Sequence, residues 1–269
     1  MHCADAPQDQ TAPSAATAVL DGSPAETDDD GAAGTDAPGT LKAALWDMDG
    51  TLVDTEPYWI AAETELVESH GGTWTHEQAM GLVGQALETS AAILQKAGVD
   101  LPIRGIVDFL AGRVIERVRV EVPWRPGAQG LLHDLWQNKV RCALVTMSEG
   151  PLAAEIVNAL PHPYFEFMVT GDMVANGKPH PEPYLAAVER LRRSDPGLGV
   201  LDCVALEDSV PGVASAMAAG VATIAIPHVI PLGEAPGRAT WPTLSGRTTA
   251  DLRAELARHA ARSPQGARA

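Results

Sequence analysis

Residues 45–57 read LWDMDGTLVDTEP, and the point at which an apolar run gives way to two aspartates there decides how the rest of the chain is organised. Residues 41–46 form a strand-like run, and Asp47 and Asp49 follow it one residue apart, with Gly50 and Thr51 making a turn behind them. Outward from this point, short strand-like runs alternate with helical patterns. Strands are predicted at residues 42–46, 140–145, 165–169, 203–206 and 221–226, and helices at 130–137, 151–160, 181–191 and 213–219. Strands alternating with helices imply a Rossmann-like, doubly wound α/β core: a mostly parallel sheet covered on both faces. Reactive groups in such a sheet gather beyond the C-terminal ends of the strands.

Residues 58–122 break the rhythm. They read as helices at 59–69, 76–82, 87–96 and 106–120 with no strand between them, so a small inserted α-helical cap domain is expected, with the proline-rich segment 122–127 as its return hinge. The expected core is then 41–57 together with 123–248, followed by a helix at 249–259 and a polar tail to 269. Residues 1–40 carry eight acidic side chains (Asp5, Asp9, Asp21, Glu26, Asp28, Asp29, Asp30, Asp36), no Lys or Arg, and almost no large apolar residues. Such a segment buries too little to offset its ordering entropy, and a disordered acidic tail is expected.

The formal net charge is −16, half of it on that tail. The remainder is still acidic, which argues against a broad nucleic-acid surface. Any anionic ligand must therefore be held by a local positive site. No run is long enough to cross a membrane, and no basic segment followed by an apolar run marks a signal peptide. The three cysteines, Cys3, Cys142 and Cys203, fit no metal-ligand spacing, and two lie in apolar runs, so reduced thiols in a cytoplasmic setting are expected.

Four polar features recur at strand ends: Asp47-Met48-Asp49-Gly50-Thr51; Thr146 with Met147 and Ser148; Lys178 within Asn-Gly-Lys-Pro; and Glu207-Asp208-Ser209. Taken singly, each has an ordinary reading: a solvent-facing acid pair, a strand end or helix cap, a surface lysine, an acidic helix start. Together they suit phosphoryl transfer. A phosphate needs positive charge and hydrogen-bond donors on its oxygens, which Lys178, the Thr146 hydroxyl and loop N–H groups can supply. Closely spaced carboxylates are costly to bury unless a cation neutralises them, and a hard ion such as Mg²⁺ takes a few carboxylate oxygens. One carboxylate suits attack on phosphorus and another suits proton transfer.

In order and spacing these motifs resemble those of the haloacid dehalogenase superfamily of phosphatases, over residues 41–227. The stretches DGTLVDTEP, GKPHPEPYLAAVERL and LEDSVPGVASAMAAG are most similar to its β-phosphoglucomutase-like branch, which includes sugar-phosphate phosphatases. Ninety-nine residues separate Asp47 from Thr146, room for the helical cap that this branch inserts, and only 32 separate Thr146 from Lys178. The resemblance implies Asp47 as nucleophile and Mg²⁺ ligand, and Asp49 as general acid/base with its backbone carbonyl on the metal. It implies Thr146 on the phosphoryl group, Lys178 bridging nucleophile and phosphate, Asp208 on the metal, and Glu207 there directly or one step behind. Asp54 and Thr55 would lie in the cap linker. Met147 and Ser148 extend the expected phosphate loop. Trp59 is expected at the cleft or in the packing beside it, and Trp46 in the core.

The reading that follows is a phosphomonoester hydrolase acting on a small phosphorylated metabolite, a sugar or polyol phosphate for preference, as a monomer or weak dimer. A sugar phosphomutase is the close alternative. Mutases of the branch carry a His in the linker, where Trp59 stands here, and basic cap-loop residues for a second phosphate. Residues 81–88, GLVGQALE, hold no Lys or Arg. A non-catalytic binding protein on the same fold is the remaining alternative, although no motif member is missing.

Overall fold

In the computed structural model, which describes residues 40–262, the run that opens the motif is β1 (Ala43–Trp46), at the middle of a six-stranded parallel sheet. The others are β2 (Arg141–Val145), β3 (Phe165–Val169), β4 (Cys203–Glu207), β5 (Ala222–Ala225) and β6 (Ala239–Thr240), in the order β3-β2-β1-β4-β5-β6. β1 pairs with β2 on one side (Trp46 opposite Leu144) and β4 on the other (Trp46 opposite Leu206). Strand order reverses at β1, so a crevice opens at its C-terminal end, where ligands of open α/β sheets bind.

Every residue of β1 and β4 is buried, as expected of central parallel strands covered by helices on both faces. Their side chains alternate. Ala43, Leu45, Ala143, Val145 and Ala205 pack with Tyr184, Ala187 and Leu191 on one face, and Ala44, Trp46, Leu144, Val204 and Leu206 point to the other. On that second face Trp46 meets Phe165 edge to face, with ring centroids 6.5 Å apart, which places Trp46 in the core as expected. The expected tail, 1–40, falls outside the described residues except for Thr40, as do residues 263–269 at the other end.

Between β1 and β2 the chain forms α1 (Glu56–Ser69), α2 (His76–Met80), α3 (Leu87–Lys96) and α4 (Ile103–Val120), then α5 (Ala128–Gln137). Pro57 fits the first turn of α1, where no N–H partner is required. Thr75 and Gln78 form a reciprocal capping box at α2. The helices bury Leu66, Leu94, Ile106 and Leu110 against one another, and this apolar cluster runs on into the Trp46 face of the sheet. The outgoing and return linkers pair as a short antiparallel ribbon: Asp54 N–H donates to Pro123 O (2.7 Å) and Arg125 N–H to Leu52 O (3.0 Å).

The remaining helices are α6 (Gly150–Asn158), α7 (Glu182–Arg192), α8 (Val210–Ala218) and α9 (Thr249–Arg262). Two sequence expectations need correction. The helix expected from residue 213 begins at Val210, because Ser209 caps it by accepting from Gly212 N–H (3.1 Å) and Pro211 sits in its first turn. Beyond residue 227 only α9 was expected. Ala239–Thr240 adds a sixth strand beside β5, too short to show any periodicity in sequence. No helix among the described residues is long and apolar enough to cross a membrane.

Candidate active site

Asp47 leaves β1 at the strand-order reversal, its N–H bonded to Leu206 O (3.0 Å). It is 7% exposed, and its Oδ1 accepts from Lys178 Nζ at 2.7 Å. Lys178 arrives from the loop between β3 and α7. Its ammonium also lies 2.6 Å from Glu207 Oε1 at the end of β4 and donates to Val145 O at the end of β2 (2.9 Å). Three strand ends thus converge on one buried cation. Burial alone would lower the lysine pKa, but Asp47 and Glu207 more than offset it, and the net shift is upward. Glu207 Oε1 also accepts from Tyr184 O–H (2.6 Å), and the Tyr184 ring lies 5.4 Å from the ammonium.

Asp208 follows Glu207, and carboxylate oxygens of Asp47, Glu207 and Asp208 all lie within 4.8 Å of one another. Burial, then the charge of Asp47, pushes Glu207 up to about 7 and Asp208 well above the usual carboxylate range. Three acids against one ammonium leave an excess of negative charge. Asp47 Oδ2 is buried and has no hydrogen-bond partner. A crowded all-oxygen donor set with an orphaned carboxylate oxygen fits a hard divalent cation. The surroundings are built to this spacing: a Cβ at Gly50, whose φ is +86°, would fall 1.9 Å from Asp208 Oδ2, and one at Gly212 1.9 Å from Glu207 Oε2. Glycine is required at Gly50 for both backbone and space.

Asp49 stands apart from the carboxylate trio. Its Oδ2 accepts from Ser148 O–H (2.7 Å) and its Oδ1 from the Thr55 hydroxyl, with the Trp59 side chain nearby. Burial outweighs these bonds and raises its pKa. The result is a carboxyl oriented by two hydroxyl donors and disposed to hold a proton.

The structure therefore brings together Asp47, Lys178, Glu207 and Asp208 as one cluster, with Asp49 and Ser148 beside it. Thr146 is 1% exposed at the end of β2, its Oγ1 accepting from Ser148 N–H (3.0 Å). Met147 turns its sulfur to the Lys178 N–H (3.2 Å). Ser148 binds Asp49, and Glu149 occupies the cap position of α6. Trp59 is 9% exposed and lies near Asp49, in the packing beside the cluster. The contacts of four residues escaped the sequence reading. No local pattern on α7 marks the bond of Tyr184 to Glu207. The Thr55 contact with Asp49 depends on how the linker bends. Arg125 and His228, which meet near Asp54, lie too far apart in sequence to be paired.

Comparison with known proteins bears on this geometry directly. Residues 44–226 match the family model described as haloacid dehalogenase-like hydrolase. The chain is 34% identical over 189 residues to the phosphorylated carbohydrates phosphatase of Thermotoga maritima, covering 68% of this chain and 84% of that protein. It is 32% identical over 189 residues to hexitol phosphatase A of Escherichia coli, covering 69% and 82%. Among solved structures, CbbY from Rhodobacter sphaeroides in complex with phosphate superposes with a TM-score of 0.69 at 27% identity, covering 77% of this chain and 96% of that one. The parallel sheet with its order reversing at β1, the acid–lysine cluster there and these matches lead to one conclusion: the chain belongs to the haloacid dehalogenase-like hydrolase family.

Proposed function

We propose that this hydrolase is a magnesium-dependent phosphomonoesterase acting on a small sugar or polyol phosphate through an aspartyl-phosphate at Asp47. The carrying observation is the Lys178 ammonium shared by Asp47 and Glu207 beside Asp208, with Asp47 Oδ2 left unpaired.

In this reading Asp47 Oδ2 attacks phosphorus while the bond to the ester oxygen breaks. Asp49, its pKa raised, delivers its proton to the departing alkoxide. The Asp49 carboxylate then takes a proton from water as that water attacks the phosphoenzyme, and phosphate leaves with Asp47 restored. Lys178 holds Asp47 in place and offsets charge on the phosphoryl oxygens, and Thr146 and the following loop supply donors. A magnesium ion held by Asp47, Asp208 and the Asp49 backbone carbonyl would add the remaining positive charge. Glu207, already bound by Lys178 and Tyr184, serves mainly to orient the lysine.

The helices between the linkers serve as the cap. Arg104 is held by Asp108 and Glu149, Arg113 by Glu65 and Glu116, and Arg119 by Glu155. The cap loop, residues 81–88, holds no Lys or Arg to grip a second phosphate, which favours hydrolysis over mutase chemistry. The buried free thiols Cys142 and Cys203 accord with a reducing, cytoplasmic setting, and a monomer or weak dimer is expected.

The test is phosphate release from a panel of sugar and polyol phosphates with magnesium, with chelator, and with Asp47→Asn. Release requiring both Asp47 and magnesium is expected. Isomerisation without hydrolysis would move the assignment to the mutase, and equal release by Asp47→Asn would end the proposal.

A further inference from the structure

His228 follows β5 and faces the ribbon formed by the two linkers. Its Nδ1 lies 2.7 Å from Arg125 Nη1 on the return linker, and its Nε2 lies 2.8 Å from Asp54 Oδ1 on the outgoing linker. A guanidinium only donates, so Nδ1 presents its lone pair to Arg125, while Nε2 lies against Asp54 Oδ1 as a close polar contact outside hydrogen-bond alignment. An imidazole held this way touches both linkers, accepting from Arg125 on one and lying against the Asp54 carboxylate on the other. The contact is sheltered, with the His228 side chain 16% exposed and that of Asp54 37%. The next residue, Thr55, carries the hydroxyl that binds Asp49, and Glu56 begins α1. The connector is therefore one residue from the group that orients the proposed proton carrier and two from the first cap helix.

We propose that His228 is a positioning residue: it fastens both cap linkers to the core and, through Asp54 and Thr55, sets the placement of the Asp49 carboxyl. This rests on the cap-gated phosphatase reading above. His228 touches none of the reacting groups. Its effect passes through the ribbon, where the Asp54 and Arg125 amides hold the two linkers together. Small displacements of a catalytic group are costly in rate, so loss of the connector should act on turnover more than on binding.

The experiment compares wild type, His228→Ala, His228→Gln and Arg125→Met. A Gln amide offers one acceptor and one donor at a spacing similar to that of the two ring nitrogens. Amide hydrogen exchange at Asp54 and Arg125 should quicken several-fold in His228→Ala and Arg125→Met and return to the wild-type rate in His228→Gln, with β1 and β4 amides unmoved. For p-nitrophenyl phosphate, kcat should fall about tenfold in His228→Ala, with KM changing less, and recover in His228→Gln. Unchanged linker exchange in both His228→Ala and Arg125→Met would overturn the proposal. So would a Gln variant as impaired as Ala, since that would leave only ring packing. If His228→Ala also loosens β1, the Arg125→Met exchange decides alone. A wild type without turnover would refute the phosphatase reading and leave the exchange result standing.

Discussion

Lys178 Nζ lies 2.7 Å from Asp47 Oδ1, joining residues 131 apart in sequence. The pair is only 4% and 10% exposed at its side chains, so neither charge is paid for by water, and each depends on the other and on Glu207. That dependence makes the site testable one residue at a time.

Asp47→Asn should reduce kcat by about 10³ or more, because the amide is a poor nucleophile. Lys178→Met should cost about 10² to 10³ by removing the positive charge that faces the phosphoryl group. Far-UV circular dichroism should show both variants folded. Wild-type turnover from either one would remove that residue from the mechanism.

Asp49→Asn should separate the two halves of the reaction. Nitrophenolate leaves without help from an acid, so a burst of one equivalent from p-nitrophenyl phosphate should survive while steady turnover falls by about 10² to 10⁴. An alkyl phosphate should give no burst. Ser148→Ala and Thr55→Val, which each remove one donor to Asp49, should show smaller losses of the same kind. An equal burst from both substrates would argue against Asp49 as the acid.

Magnesium should stabilise the protein independently of turnover, because it relieves the crowding among Asp47, Glu207 and Asp208. At a hundredfold excess over Kd the gain is about 2.7 kcal/mol, readable as a rise in Tm. Asp208→Asn should blunt the rise. A wild-type Tm indifferent to magnesium would count against the metal site.

Glu63 gives a pH prediction away from the reacting groups. It is 5% exposed on α1, accepts from Trp74 Nε1 (3.1 Å), and burial pushes it up to about 7. With its folded pKa above the unfolded value, the folded state binds more protons between about 4.3 and 7, so stability falls as pH rises through that window. Glu63→Gln should therefore match wild type near pH 5 and exceed it near pH 8, by on the order of 1–3 kcal/mol. Calorimetry at the two pH values checks this, and an equal effect at both would show that the carboxyl does not titrate there.

The strands and the polar motifs were readable because each is local. β1, β2, β4 and β5 lie in runs rich in Val, Leu, Ala and Ile, β3 reads Phe-Glu-Phe-Met-Val, and Asp47, Thr146 and Glu207-Asp208 sit where such runs stop. The start of α8 was misjudged because Pro-Gly reads as a loop until Ser209 is seen to cap it. β6 has two residues and no pattern of its own; it exists because β5 offers an edge. Ser148 was expected in the phosphate loop, and its bond to Asp49 was not legible because it crosses 99 residues.

By itself the order of residues determined the parallel sheet, the helices between β1 and β2, and which carboxylates and lysine stand at strand ends and in the loop beside them, because hydrophobic period and motif spacing act over a few residues. Tertiary structure alone decided that Lys178 is shared between Asp47 and Glu207, that Tyr184 and Thr55 orient these groups, and that His228 meets both linkers. Those contacts arise where separate strand ends and loops converge, and a chain carries no local record of which distant side chains its folding will bring within hydrogen-bond distance.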